Sequence, residues 1–171
     1  MGDHHDFDEV DTFTLGTVGR PGSRTFFVQA RRGDRIVTVK CEKQQAAAIA
    51  EYLRRVLSDL PSDTAESTDS AQRLDTPFDT AFVLGPVGLG YDRDDDRILL
   101  QLEEFVPVDD EGEPIDDADA DDRSRLRVHL TRGQAAAFCA RADDVVSAGR
   151  PPCMWCSLPI DPDGHACPRM N

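Results

Sequence analysis

The 171-residue chain predicts an α+β fold: two βββα units forming one mainly antiparallel sheet with both helices on one face, followed by a short Cys/His-rich tail. Three observations predict it. The run Phe13-Thr-Leu-Gly-Thr-Val-Gly19 returns as Phe82-Val-Leu-Gly-Pro-Val-Gly88, and Gln45-Ala-Ala-Ala-Ile49 returns as Gln134-Ala-Ala-Ala-Phe138. Within each copy, apolar residues alternate with period two and then switch to helical spacing. A single unit of this size would be marginal alone, so the two copies are expected to pair about a pseudo-twofold axis as a six-stranded sheet.

Residues 1–11 hold five acids and no Lys or Arg, and read as a flexible acidic start in which His4 and His5 carry no role. The first unit spans 12–60. After the Phe13 to Gly19 strand, Arg24 to Ala30 alternates with Phe26, Val28 and Ala30 on one face. Arg35 to Cys41 does the same with Val37, Val39 and Cys41, and the turn at 32–34 joins the two as a hairpin. Ile49, Leu53, Val56, Leu57 and Leu60 then follow helical spacing from about residue 43. Residues 61–77, rich in Ser, Asp, Thr and Pro, read as a mobile linker.

The second unit spans 78–150. Ile98, Leu100 and Leu102 share a face, as do Leu126, Val128 and Leu130, and Thr131-x-x-Gln134 is a capping-box start for the second helix. An acidic insertion at 107–124 interrupts the copy. Its core, 109–122, has nine acids and no Lys or Arg, and is expected to be a solvated loop, with docking of a basic partner or mimicry of polyanion charge as the alternative, rather than a calcium loop, since the ordered ligand positions are missing. The paired glycines Gly16/Gly19 and Gly85/Gly88 read as bulges or close backbone approaches. A phosphate cradle would need a helix directly after them. One sheet face is left with Thr25, Phe27, Gln29, Ile36, Leu99 and Arg127, a half-apolar surface of the kind that takes a partner.

The net charge of -14 equals the contribution of the two acidic segments, so the remainder is close to neutral and offers no concentrated basic face. Direct nucleic-acid binding is therefore not expected. Neither a membrane span nor a leader is expected, which points to a soluble cytoplasmic protein.

The tail, 151–171, carries Cys153-x2-Cys156-x8-His165-x-Cys167. Three thiolates and an imidazole suit a structural Zn2+, and Asp161-Pro-Asp-Gly164 is turn chemistry that brings the second pair of donors back to the first. This makes a zinc knuckle. Two other chemistries compete for the same residues. A redox pair at Cys153 and Cys156 would want a helix after it, which Leu-Pro-Ile-Asp-Pro forbids. A catalytic zinc would need an open position and a base. Cys41 and Cys139 fall on apolar faces and read as core residues.

With the duplicated F-x-L-G-x-V-G, the strand Arg24 to Ala30, Glu42-Lys-Gln-Gln45 and the terminal Gly149-Arg-Pro-Pro-Cys153 and Gly164-His-x-Cys-Pro-Arg169, the chain resembles an uncharacterised actinobacterial repeat-protein family of unknown function. Relatives usually read Cys-Pro-x-Cys-Gly at the first knuckle. Here Ser157 replaces that glycine, which implies a slightly strained or less symmetric knuckle. The resemblance also implies a pathway shared with a kinase-like and a histidine-phosphatase-like protein, encoded nearby. The functional expectation is a non-enzymatic, zinc-stabilised adaptor or regulatory module with a protein partner. The alternative is an enzyme or enzyme subunit in a phosphoryl-transfer or thiol-redox pathway.

Overall fold

The computed structural model of the chain describes residues 2–61, 73–115, 122–161 and 163–170. Most of the expected linker, 62–72, and part of the acidic insertion, 116–121, lie outside the described residues. Nine elements follow in the order β1 (His4–Phe7), β2 (Thr12–Val18), β3 (Thr25–Arg32), β4 (Arg35–Cys41), α1 (Lys43–Asp59), β5 (Thr80–Asp92), β6 (Arg97–Glu104), β7 (Arg125–Leu130) and α2 (Arg132–Ser147). The sheet has seven strands in the order β1-β7-β6-β5-β4-β3-β2.

Two expectations are corrected here. The acidic start is not merely a flexible tail: His4–Phe7 adds a strand to β7, with Phe7 opposite Val128 and buried at 3% exposure. The physical reason is burial of one side chain, since an added strand hides the apolar Phe7 against the core. The sheet therefore has seven strands where six were expected, and although still mainly antiparallel it is mixed. β1 joins β7 in parallel and β4 joins β5 in parallel, while the other four pairings are antiparallel.

The sheet must coil. Its two edge strands, β1 and β2, are consecutive in the chain. Six strand gaps would place the edges of a flat sheet about 29 Å apart, whereas the five steps from Phe7 to Thr12 reach at most about 18 Å. The side chains record the closure: the Arg35 guanidinium lies 4.4 Å from the Phe7 ring centre, Arg32 Nη2 donates to Glu9 Oε2 at 3.0 Å, and Gly33 N donates to Asp11 Oδ2 at 2.7 Å.

One contiguous core fills the inside, with Leu15, Val28, Val39, Leu84, Leu100 and Val128 from the strands and Ile49, Leu53 and Phe138 from the helices. The helices meet through small residues, Ala50 and Ala142 among those buried, and Cys139 Sγ donates to Ala50 O at 3.4 Å. α2 also lies along β2, where Phe138 stacks on Phe13 at 4.9 Å and Arg141 Nε donates to Leu15 O at 3.0 Å, so this edge is covered.

The repeated Gln-Ala-Ala-Ala has a double function. Gln45 Oε1 accepts from Glu42 N and Gln134 Oε1 accepts from Thr131 N, the expected capping interaction at the second helix. Each amide nitrogen then donates to a backbone carbonyl outside its own helix, Gln45 to Leu84 O on β5 and Gln134 to Val10 O in the β1–β2 connection, which ties each helix to another part of the chain.

The second face of β2–β4 is not the open surface the sequence suggested. Phe27 and Gln29 are 8% and 1% exposed because residues 73–78 cross over them. The Gln29 side-chain amide pairs with the Asp75 backbone in both directions, donating to its carbonyl at 3.1 Å and accepting from its N–H at 2.7 Å. Arg31 Nε sits 3.1 Å from the Asp75 carboxylate, Phe78 meets Phe27 edge-on, and Leu74 occupies the space over Gly16. A Cβ on Gly16 would lie 2.4 Å from Leu74 Cγ. The repeated glycine there is a slot for a side chain. In the second copy Gly85 serves a related end, since a Cβ would lie 2.8 Å from Phe105 Cα, and the β5 register shifts between Leu84 and Val87.

Candidate metal centre

The tail begins at Gly149 and has no strand or helix of its own among the described residues. Its shape comes from turns and short backbone pairings. Cys153 N donates to Leu158 O, Ser157 N donates back to Cys153 O, and Ile160 N donates to Pro151 O, so 151–160 forms a tight knuckle. A second turn closes at Gly164 N to Asp161 O, with Gly164 at φ 92°, and turns His165 and Cys167 back toward the first two cysteines. Arg150 Nη1 donates to Asp161 Oδ1 at 2.7 Å and ties the two halves together. The sequence reading assigned Asp161 to the turn alone and missed this ion pair.

The four predicted ligands come together. One donor atom from each of Cys153, Cys156, His165 and Cys167 lies within 4.8 Å of all the others. Tetrahedral zinc with Zn–S near 2.3 Å and Zn–N near 2.05 Å implies S···S edges of about 3.8 Å and S···N edges of about 3.55 Å. Cys153 Sγ and Cys167 Sγ are 3.9 Å apart, and Cys156 Sγ and His165 Nε2 are 3.3 Å apart, both close to such edges. Cys153 and Cys167 are buried, while Cys156 and His165 are half-buried.

Backbone amides are aimed at the first sulfur. The N–H groups of Cys156 and Trp155, the latter 3.4 Å from Cys153 Sγ, hold the Cys153 thiol below its ordinary value, while desolvation pushes Cys156 up. Amide donors to a thiolate are the usual support of a metal-bound cysteine. Ser157, directly after the second ligand, stands at φ 62°. A non-glycine residue there costs on the order of 1 kcal/mol, which is strain of the kind expected where the glycine is missing.

The remaining cysteines stand apart from this cluster. Cys41 and Cys139 are buried in the core, and burial pushes the Cys41 thiol up to about 12. His129 lies beside an open polar depression lined by Asp8, Glu9, Arg32, Asp95 and Arg97. His4 and His5 sit on β1, where burial and the Arg35 charge lower the His5 pKa. Around the knuckle, Met154, Trp155, Leu158 and Met170 are all exposed, Met154 at 85%.

Among the described residues no helix is long and apolar enough to cross a membrane. No curated protein and no solved structure matches the chain. A family model does: the family described as a protein of unknown function (DUF3090) matches residues 5–167, nearly the full length and through all four clustered Cys and His residues, and the chain belongs to that family.

Proposed function

We propose that Cys153, Cys156, His165 and Cys167 hold one structural Zn2+, and that the chain is a non-enzymatic interaction module built from a duplicated βββα unit and fastened at its C-terminal end by the metal. The donor set carries the reading: three sulfurs and one imidazole nitrogen within 4.8 Å of one another, with the Cys153–Cys167 and Cys156–His165 pairs near tetrahedral edge lengths, would fill a zinc coordination sphere and leave no position for a substrate. Soft thiolate donors at these spacings favour zinc over the oxygen-seeking cations. The tail has little core of its own, so a metal supplies the cross-link that small modules otherwise obtain from disulfides.

Duplication is supported by the order of three strands and a helix occurring twice after β1, and by the matched double bonding of Gln45 and Gln134. The interaction reading is supported by the knuckle tip, where Met154 and Trp155 project between two ligand cysteines. Rigidly held Trp and Met side chains are common anchors at protein interfaces.

Elemental analysis of natively purified protein, with thiol titration before and after denaturation, tests the metal. About one zinc per chain, with Cys153, Cys156 and Cys167 unreactive until denaturation, supports the structural site. A metal-free protein whose Cys153 and Cys156 oxidise rapidly to a disulfide would overturn it. The thiol-redox alternative, which the lowered Cys153 pKa favours, would then lead.

A further inference from the structure

We propose that the outer face of β5, β6 and β7 is a docking site for an extended segment of a partner protein, and that this segment carries a large apolar residue followed by Lys or Arg. The inference rests on reading the chain as an interaction module and is independent of the metal. It starts from the other half of the sheet, where the chain itself shows what such a face accepts.

On β2–β4, the residues that receive 73–78 form a pattern in register. Gly16 stands opposite Phe27, and Gln29 follows two residues later on β3. Leu74 fills the space over the glycine, and Gln29 grips the Asp75 backbone at both its polar groups. Arg31, two residues further, meets the Asp75 carboxylate.

The same pattern recurs on β5 and β6. Gly90 stands opposite Leu99, Gln101 follows two residues later, and Gly88 stands opposite Gln101. Here nothing among the described residues lies over the glycines. A Cβ on Gly88 would meet only Gln101, at 3.7 Å, and one on Gly90 only Leu99, at 3.8 Å, both ordinary contacts. Neither glycine has a positive φ. The fold therefore has no need of glycine at either position, yet glycine inside a strand costs about 0.5–1 kcal/mol relative to alanine. Interior strand glycines with no local reason mark the close approach of a ligand or another backbone.

One difference between the two faces sets the partner's charge. The residue at the place of Arg31 is Glu103, two positions beyond Gln101. Its carboxylate is held at 2.6 Å by the Gln101 amide, a half-buried surface contact that can be exchanged for an incoming backbone. A segment laid on this face as 73–78 is laid on the other would present its Asp75-equivalent side chain to Glu103, so a cation belongs there. Arg127 does not neutralise Glu103, because its guanidinium donates twice to Gln101 Oε1 and lies 3.9 Å from Asp6. It stays there while Gln101 Nε2 alone turns to an incoming carbonyl, so the grip on this face is one hydrogen bond where Gln29 makes two. The chain's net charge of -14 favours a basic segment as well.

Two synthetic peptides test this by backbone NMR on the full-length protein: Arg-Leu-Lys-Thr-Pro-Phe, and Arg-Leu-Asp-Thr-Pro-Phe, the sequence of 73–78. The lysine peptide is expected to shift the amides of Gly88, Gly90, Leu99 and Gln101, and to bind about fivefold more tightly than the aspartate peptide. Glu103→Lys should reverse that preference. Gly90→Ala should fold with equal or greater stability and lose lysine-peptide binding by about tenfold. Shifts confined to β2–β4, affinity unchanged in Gly90→Ala, a preference unchanged in Glu103→Lys, or occupation of the face by a second copy in sedimentation would each overturn the proposal. If the peptides fail while a partner captured from cells is lost with Trp155→Ala, the face is wrong and the interaction-module reading stands.

Discussion

Gln29→Ala removes one side chain at 1% exposure and, with it, the attachment of residues 73–78 to the sheet. Three hydrogen bonds are lost: to Thr38 Oγ1 at 3.0 Å, to Asp75 O at 3.1 Å and from Asp75 N at 2.7 Å. Leaving buried partners unsatisfied costs about 1–3 kcal/mol each when water cannot reach them. Asp75 is only half-buried, so its two groups recover much of their loss by hydration, while the buried Thr38 hydroxyl does not. The net loss should be about 3 kcal/mol, equivalent to a Tm lower by roughly 6–12 °C for a domain of this size. Urea denaturation gives the free energy, and hydrogen exchange at the Asp75 amide gives the mechanism: slow in the native protein and fast in the variant. Asp75→Ala is the control, because it removes only the half-exposed ion pair to Arg31 and should cost less than about 1 kcal/mol. A Gln29→Ala loss below about 1 kcal/mol, or an Asp75 amide that exchanges equally fast in both proteins, would show that 73–78 is not part of the folded unit.

At the tail, Cys156→Ser should abolish stoichiometric metal and make the remaining tail cysteines reactive, while far-ultraviolet circular dichroism of the sheet and its main unfolding transition persist. Global unfolding would refute the independence of the two parts. Ser157→Gly relieves the positive φ and should raise stability of the metal-bound form by about 1 kcal/mol, read as resistance to a competing chelator. The Tyr91 hydroxyl first, and then Arg132, hold the Asp96 carboxyl below the usual carboxylate range. A depressed carboxyl contributes stability that is present above its unfolded pKa of about 3.9 and is lost as pH falls through the folded value. Asp96→Asn should therefore flatten the acid limb of the stability curve, and an unchanged limb would contradict it. Cys41, with its pKa pushed up to about 12, stays protonated in the fold. It should resist thiol reagents at pH 8, and stability should decline as pH rises above about 8.5, where the unfolded thiol ionises first.

The elements most legible in the sequence were those whose signal is local. Arg35–Cys41 matches its expected strand, and Leu126, Val128 and Leu130 share a buried face as expected, because alternation is enough to specify them. The Thr131 cap was legible from two residues. The tail cluster was legible because ligand chemistry restricts both residue type and spacing. What escaped was long-range. The single phenylalanine of a four-residue strand gives no periodicity, so β1 could not be separated from an acidic tail. The polar run before Phe78 concealed Leu74 and Asp75, whose attachment depends on a glutamine 46 residues away. Gly16 held the available clue. A glycine repeated at a strand centre signals a close approach, but it does not say what approaches.

That ambiguity separates the two halves of the sheet physically. On β2–β4 the approach is made within the chain, so its entropic cost is limited to closing a loop, which grows only slowly with length. On β5–β7 the chain after α2 goes instead to the metal knuckle, past the Pro21 loop, and does not return over Gly88 and Gly90 among the described residues. A partner segment meeting that face would have to meet the larger cost of association. A backbone grip by Gln101 and one apolar side chain over Gly90 will not offset that cost with much to spare. Such a contact would be weak alone. In the proposed reading, the exposed Met154 and Trp155, on a knuckle that a bound metal would make rigid, would supply a second point of attachment, and two weak points joined through one partner bind far more tightly than either by effective concentration. Metal removal should then lower partner affinity without changing the affinity of the isolated lysine peptide for the sheet face. A peptide affinity that falls together with the metal would show that the knuckle and the face are one site, and the two-point arrangement would be wrong.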